Sequence, residues 1–196
     1  NSKFRALKYF ALSSLVLLMA FAPVAAVAER ADRVKPTHIE SDTLLHDDLK
    51  QVSVFTGRAV LTKGTLILRG HRIEMQEDAD GYQFGVVLPE AGRRAFFRQK
   101  REGVNEYIEG EGLRIEYDGK RDVVTILDKG EVRRYRGAVL ADQMMGQRIV
   151  YENLTDIFSI DGQRSGAGNN ASSTGRVRAT LVPKEKRDEK KPEARK

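Results

Sequence analysis

Cysteine and tryptophan are absent from this chain of 196 residues, and aromatic residues make up only 7% of it. Without cysteine there is no disulfide framework, and thiolate metal ligands and cysteine nucleophiles are excluded. A chain of this length without cross-links must be held by a hydrophobic core and by hydrogen bonds. The sparse aromatics predict a core built mainly from aliphatic side chains.

Sequence patterns that carry catalysis are also missing. The three histidines, His38, His46 and His71, lack metal-ligand spacing, and no G-x-S-x-G or Walker A motif occurs. Acidic pairs such as Glu109 and Glu111 are more typical of the solvated face of a strand than of a glycosidase. We therefore predict that the protein is not an enzyme and has neither a metal nor a cofactor.

The excess of positive charge does not lie in the body of the chain. The sequence has a pI near 9.5, but residues 29–183 contain 24 Lys or Arg and 24 Asp or Glu. The surplus lies in the first 28 residues and in residues 184–196. A basic nucleic-acid-binding face is therefore not expected.

Three segments flank or lead into the body of the chain. Residues 1–28 combine a basic start, an apolar run and Ala26-Val27-Ala28, which predicts a secretory signal peptide. The alternative is a retained membrane anchor, and N-terminal sequencing of the purified protein would separate the two. We expect residues 29–36 to form a flexible entry and the charged residues 184–196 to be a disordered tail.

From Thr37 onward the pattern is that of an all-β protein. Runs with period-two alternation include 51–60, 65–69, 122–127, 156–160 and 176–182, separated by frequent glycines. No window has a convincing helical period. We expect strands of about five to eight residues joined by tight turns, an irregular stretch within 77–101, and a polar loop at 162–175.

A short phrase, G-x-R-I-x-[MY], occurs three times, at 70–75, 112–117 and 146–151. Its recurrence indicates a repeated strand unit that stacks on its neighbours. Alternation predicts that the isoleucine and the Met or Tyr point inward, whereas the arginine points to solvent. The same rule extends the apolar side to Leu66 with Leu68, Val124 with Ile126, and Val52 with Val54.

Six short segments occur along the chain in this order: HIESD (38–42), FTG (55–57), GTLIL (64–68), AFFRQ (95–99), IEGEGLRIEY (108–117) and LVP (181–183). Together they resemble the OstA-like family. The resemblance covers 37–183 and implies an OstA-like β-jellyroll of stacked short antiparallel strands, open at both ends. It also implies a periplasmic protein whose groove shelters the acyl chains of lipopolysaccharide between the inner and outer membranes. Implied partners are further copies stacked head to tail, an LptC-like inner-membrane protein and an LptD-like outer-membrane protein, all joined by edge-strand addition.

The same resemblance implies a lipid-facing role for Thr37, Phe97 and Tyr117. Alternation extends the predicted lining to Ile73, Ile115, Ile126 and Ile149. Ordinary core packing in a dry scaffold is the alternative for each of them. Two other functions remain open at this stage: an LptC-like membrane-anchored partner, and an envelope enzyme that acts on glycans.

Overall fold

The computed structural model of the chain describes residues 32–162 and 175–183, which contain twelve β-strands and no helix. Within these residues, no helix is long and apolar enough to cross a membrane. The predicted signal peptide, most of the 162–175 loop and the predicted tail lie outside the described residues. The strands are β1 Thr37–Glu40, β2 Thr43–Asp47, β3 Val52–Lys63, β4 Leu66–Glu77, β5 Gln83–Leu88, β6 Ala95–Lys100, β7 Glu106–Gly112, β8 Arg114–Asp118, β9 Val123–Arg136, β10 Val139–Glu152, β11 Ile157–Asp161 and β12 Arg178–Leu181.

The antiparallel pairings arrange these strands in two layers. Layer A has the order β2-β3-β4-β5-β8-β9-β10-β11, and layer B has the order β1-β3-β4-β6-β7-β9-β10-β12. The long strands β3, β4, β9 and β10 contribute one half to each layer. The sheet is therefore folded over on itself, and both inner faces contribute to one hydrophobic core.

The long strands bend along one line, which we call the fold line. On β3 the bend is a bulge at Gly57 and Arg58, and on β9 it is a bulge at Asp128 and Lys129. All four residues have positive φ, between 47° and 85°. A bulge inserts an extra residue and sharpens the local bend, so one strand can leave layer A and continue in layer B.

The glycines of the repeated phrase, Gly70, Gly112 and Gly146, lie on the fold line, and none of them has a positive φ. Each is instead required by close approach. A Cβ atom at these positions would lie 2.6 Å from the Leu88 carbonyl oxygen, 2.9 Å from that of Leu127 and 2.9 Å from that of Asp161, respectively. The phrase therefore places a glycine where a strand comes close to the backbone of its neighbour, at the end of β5, at the β9 bulge and at the end of β11.

Substitution of Gly146 by alanine tests this role. The new methyl group would lie 2.5 Å from Ile160 Cγ2 and 2.9 Å from a backbone oxygen that cannot move freely. We expect Gly146→Ala to lower the free energy of unfolding by about 1–3 kcal/mol, measured by urea denaturation. The control is Gly103→Asn, at a positive-φ position with open space around it. An unchanged urea midpoint for Gly146→Ala would show that close approach does not constrain the fold line.

Four strands, β3, β4, β9 and β10, are 12 to 14 residues long, longer than the five to eight expected. The glycines at the fold line interrupt the sequence pattern without ending the strand. The stretch expected to be irregular contains β5, whose inward positions are Gly85 and Val87. The period-two pattern of β5 is hard to recognise in the sequence because one inward position is a glycine. A side chain at position 85 would take the space that Met75 Sδ occupies.

The prediction that Val52 and Val54 belong to the apolar side is wrong. Val54 is opposite Glu74, whereas Phe55 is opposite Ile73. Directly paired residues point to the same face of a sheet, so the buried Ile73 brings Phe55 inward and leaves the two valines outside.

Candidate functional site

The inner faces of the two layers bring together the side chains that the sequence predicted as a lining. Six of the seven are buried: Ile73, Phe97, Ile115, Ile126 and Ile149 are 0% exposed, and Tyr117 is 4% exposed. The inward orientation predicted for the Ile and Met or Tyr of all three phrases is confirmed, since Met75 and Tyr151 are buried as well. The outward orientation of the phrase arginines is also confirmed, because Arg72, Arg114 and Arg148 form ion pairs at half-exposed positions.

Thr37, the seventh residue, lies at the rim of the interior and not in the core. Its hydroxyl donates a hydrogen bond to Gln83 Oε1 at 2.7 Å, which joins β1 of layer B to β5 of layer A. Together with Ile39, Phe55 and Met75 it lines a pocket of about 240 Å³ at the end of the molecule formed by β1 and β2.

Contacts between the layers fill the interior with side chains. The ring of Phe97 on layer B lies 6.2 Å from that of Tyr151 on layer A, and Tyr151 stacks on Phe158 at 4.5 Å. Gly110, which is opposite Phe97 in the register of β6 and β7, leaves room for the side chains of Ile126 and Phe97. Sequence reasoning did not identify several further members of this core: Ala59, Leu61, Val87, Ala95, Ile108 and Val132.

The inner surface changes from aliphatic to polar with distance from the fold line. The side opposite that line, where the strand-connecting loops of both layers meet, is called here the seam. Inward positions approaching the seam run in series that end in a polar or charged residue. The series are Ala95, Phe97, Gln99 on β6; Ile126 and Val124 on β9, then Asp122 in the turn before it; Ile149 and Tyr151 on β10, then Asn153 in the turn after it; and Val132, Arg134, Arg136 on β9.

Polar side chains at the seam bind one another within layer A, and Arg101, which follows β6 of layer B, joins that layer to Asp156 of layer A. Tyr151 donates its hydroxyl proton to Asp156 Oδ1 at 2.9 Å, and Arg101 Nη2 lies 3.2 Å from Asp156 Oδ2. Asn153, 6% exposed, donates to Asp122 Oδ2 at 2.7 Å. Within the described ranges, no strand ladder joins the layers at the seam, so side chains hold them together there.

Burial changes the ionisation of two groups near the seam. It raises the pKa of the Tyr117 hydroxyl well above its ordinary value, and the negative charge of Asp122 adds to the effect. Burial lowers the pKa of the Lys63 ammonium group, although Asp122 partly opposes this change. The seam is therefore a region of restricted access to water.

The acidic pair considered for catalysis lies on the outer face of β7. Glu109 is 3.7 Å from Arg98, and Glu111 is 2.7 Å from Arg94 and 3.3 Å from Arg133. Arg94 also lies 3.0 Å from Glu131, whose pKa is lowered below its usual value because these contacts outweigh its burial. Among the described residues, no cluster of His, Asp or Glu could hold a metal ion.

The polar residues of the seam were not predicted. For Gln99 a signal was present, because it follows Phe97 by two positions and alternation places both on the same face. For Asp122 and Asn153 alternation offers the same signal, since they lie two positions from Val124 and Tyr151, but their contact with each other exists only because β9 pairs with β10.

The fold and its interior define a two-layer antiparallel β-jellyroll with an apolar inner surface and a polar seam. A family profile described as "LptA/(LptD N-terminal domain) LPS transport protein" matches residues 38–157. The chain belongs to this family.

Individual relatives agree with the family assignment. The chain is 26% identical to the lipopolysaccharide export system protein LptH of Pseudomonas aeruginosa over 161 residues, which cover 82% of this chain and 87% of the relative. It is also 26% identical to LptA of Escherichia coli K12, over 73% of this chain and 75% of the relative. Because these are transport proteins, the prediction that the chain is not an enzyme is confirmed.

A solved structure confirms the fold class. The crystal structure of LptH, described as the LptA-homologous periplasmic component of the lipopolysaccharide transport device of Pseudomonas aeruginosa, superimposes with a TM-score of 0.67. The match covers 78% of this chain and 99% of the other, at 24% identity.

Proposed function

We propose that this protein is a periplasmic carrier that binds lipopolysaccharide and bridges the inner and outer membranes during its transport to the cell surface. Its family and the names of its relatives support this assignment. In this proposal the acyl chains lie against the inner surface formed by Ile73, Phe97, Ile115, Tyr117, Ile126 and Ile149, with Thr37 at the rim.

The observation that carries the proposal is the change of the inner surface from aliphatic at the fold line to polar at the seam. An amphipathic lipid has the same two parts. Its acyl chains gain free energy by leaving water for an apolar surface, while its sugar and phosphate groups need hydrogen-bonding partners. A lipid lying with its tails toward the fold line and its headgroup at the seam satisfies both requirements.

Entry of a lipid requires the two layers to separate. The inner side chains are packed against one another, and the contacts at the seam are between side chains. These contacts can open without breaking a strand ladder, whereas the fold line is crossed by four continuous strands. We therefore expect the seam to be the side that opens.

Photo-crosslinking tests the proposed lining. A photoreactive amino acid at position 97 is expected to crosslink to lipopolysaccharide in cells, because this side chain faces the interior. The matched control is position 96, where the neighbouring phenylalanine faces outward under the Arg69 guanidinium group. Equal crosslinking from both positions, or none from position 97 and position 117, would contradict the proposed lining.

The same proposal extends to assembly by edge-strand addition. At one end the free edges are β1 and β2, and at the other they are β11 and β12, so within the described residues each end offers unpaired main-chain groups. The edge segment 37–48 carries Glu40, Asp42, Asp47 and Asp48 and no Lys or Arg, whereas the edge segment 175–183 carries Arg176 and Arg178 and no carboxylate. On β11 the carboxylate of Asp161 is paired with Arg148. Opposite charges favour a head-to-tail stack of copies, with an LptC-like protein at the inner-membrane end and an LptD-like protein at the outer-membrane end.

A further inference from the structure

We infer that the turn between β3 and β4 forms an anion-binding niche at the seam, in which the Asp32 carboxylate occupies the place of a phosphate group of the transported lipid. The niche consists of Gly64, Thr65 and Gln99. This inference rests on the proposed function and specifies where the headgroup of the lipid binds.

Three donors converge on the Asp32 carboxylate from two segments, Thr65 and Gln99, which lie 33 and 67 positions away in sequence. The Thr65 backbone N–H donates to Oδ1 at 3.0 Å, and the Thr65 hydroxyl donates to Oδ2. Gln99 Nε2 donates to the same Oδ2 at 3.4 Å. Gln99 is only 3% exposed, so its amide is a buried polar group directed at this anion. A main-chain N–H, a hydroxyl and an amide aimed at one point are the donors with which proteins bind phosphate.

The shape of the turn leaves space for the anion. Gly64 has φ +58°, and a Cβ atom built on it would overlap Asp32 Oδ1. A side chain at position 64 would therefore fill the place that the carboxylate oxygen occupies. The Thr65 hydroxyl also accepts a hydrogen bond from the Lys100 backbone N–H at 3.2 Å, which orients it.

The surroundings of the niche are suited to a group larger than a carboxylate. It opens into a pocket of about 360 Å³ that Lys100, Arg101 and Glu102 also line. Lys63, which begins the turn, interacts electrostatically with Asp32. When Asp32 leaves, its negative charge leaves with it, and Lys63 loses the attraction of that carboxylate, while Arg101 stays paired with Glu106 and Asp156. A phosphate group then restores the charge balance and offers more acceptor oxygens than Asp32 does.

The position of the niche fits the proposed orientation of the lipid. Gln99 follows Phe97 by two residues on β6, a separation of roughly 6.6 Å along one face of the strand. A lipid whose tails contact Phe97 therefore has its polar end close to Gln99. Asp32 competes with that end, so the apparent affinity is reduced by the fraction of molecules in which Asp32 occupies the niche.

The test compares Asp32→Ala with the wild type for binding of lipid A and of the same lipid without its phosphates. If Asp32 occupies the niche in about nine molecules of ten, Asp32→Ala is expected to bind phosphorylated lipid about tenfold more tightly. Binding of the dephosphorylated lipid should not change. Addition of Thr65→Val, which removes the hydroxyl, should abolish most of the gain. The control is Asp80→Asn, which removes one negative charge from an exposed loop residue that binds Lys120 and not the niche.

A second measurement does not depend on the lipid and reports on folding at the same time. Pyrophosphate is expected to raise the Tm of Asp32→Ala more than that of the wild type, and Asp32→Asn serves if the alanine variant does not fold. If Asp32→Ala gains no affinity for phosphorylated lipid and pyrophosphate does not raise its Tm, while both lipids still bind, the niche is overturned and the carrier function stands. If neither lipid binds to any variant, both are overturned. If pyrophosphate binds but phosphorylated lipid has no advantage, the site binds free phosphate and the lipid assignment is overturned.

Discussion

Phe97→Ala is expected to lower the free energy of unfolding by about 3–5 kcal/mol, the range found when a fully buried phenylalanine is truncated. Phe97 is 0% exposed, and it contacts layer A through Tyr151 while Gly110 leaves space for it within layer B. The cavity left by its ring lies between two sheets held by long strands, so neighbouring side chains can fill it only in part. Urea denaturation monitored by far-UV circular dichroism measures the loss.

Phe96→Ala is the matched control for this change. It removes the same side chain one position earlier, but from the outer face of β6, where Phe96 lies under Arg69 at 5.2 Å. Its expected cost is about 1 kcal/mol or less, the size of an exposed cation–π contact. Similar losses for the two variants would mean that the interior between the layers does not hold the fold together. Phe97→Leu, which keeps much of the volume, should recover part of the stability and allow lipid binding to be measured on a folded protein.

Ala179→Pro is expected to weaken head-to-tail assembly at least about tenfold while leaving the protomer folded. Val182 N–H donates to the Ala141 carbonyl at 2.9 Å, and Leu181 is opposite Asp142 in the register of β12 on β10. Alternate residues of an edge strand direct their N–H groups to opposite sides. The N–H groups of Ala179 and Leu181 therefore point away from β10, toward the free edge, and proline at 179 removes a donor that only an added strand would use.

Thr180→Pro provides the contrast, because the N–H of Thr180 points toward β10 and its loss breaks the ladder within the protomer. Analytical ultracentrifugation over a range of concentrations measures assembly, and thermal denaturation measures folding. The expected pattern is loss of assembly with an unchanged Tm for Ala179→Pro, and a lower Tm for Thr180→Pro. Normal stacking of Ala179→Pro would show that β12 is not the docking edge.

Alternation along single strands was enough to predict much of the interior. Ile115 and Tyr117, or Ile149 and Tyr151, can be assigned inward from the sequence because the two faces of a strand follow a period of two residues, which is a local property. The same local rule failed at Val52 and Val54, where apolar residues occupy the outer positions and Phe55 follows on the inner one. There the face is decided by the partner strand, since Phe55 is opposite Ile73 and Val54 is opposite Glu74.

The seam shows a second limit of sequence reasoning. Asp32 and Thr65 bind each other although they lie in separate segments of the chain, and Gln99 joins them from a third segment. Hydrogen-bonding residues in turns have no periodicity that would relate one turn to another. Their arrangement follows from the pairing of the strands on either side of them.

The amino-acid sequence is sufficient to establish that the protein is all-β, that its interior is mainly aliphatic, and that a unit of glycine, arginine and an inward Ile with Met or Tyr recurs along the chain. These properties depend on composition and on short-range alternation. That the glycines of the phrase lie on a fold line and not in turns, and that the polar ends of the inward series meet at one seam, follows from the three-dimensional fold alone. The physical reason is that bulges, close approaches of backbone and contacts between layers depend on which strands become neighbours, and those strands come from distant parts of the chain.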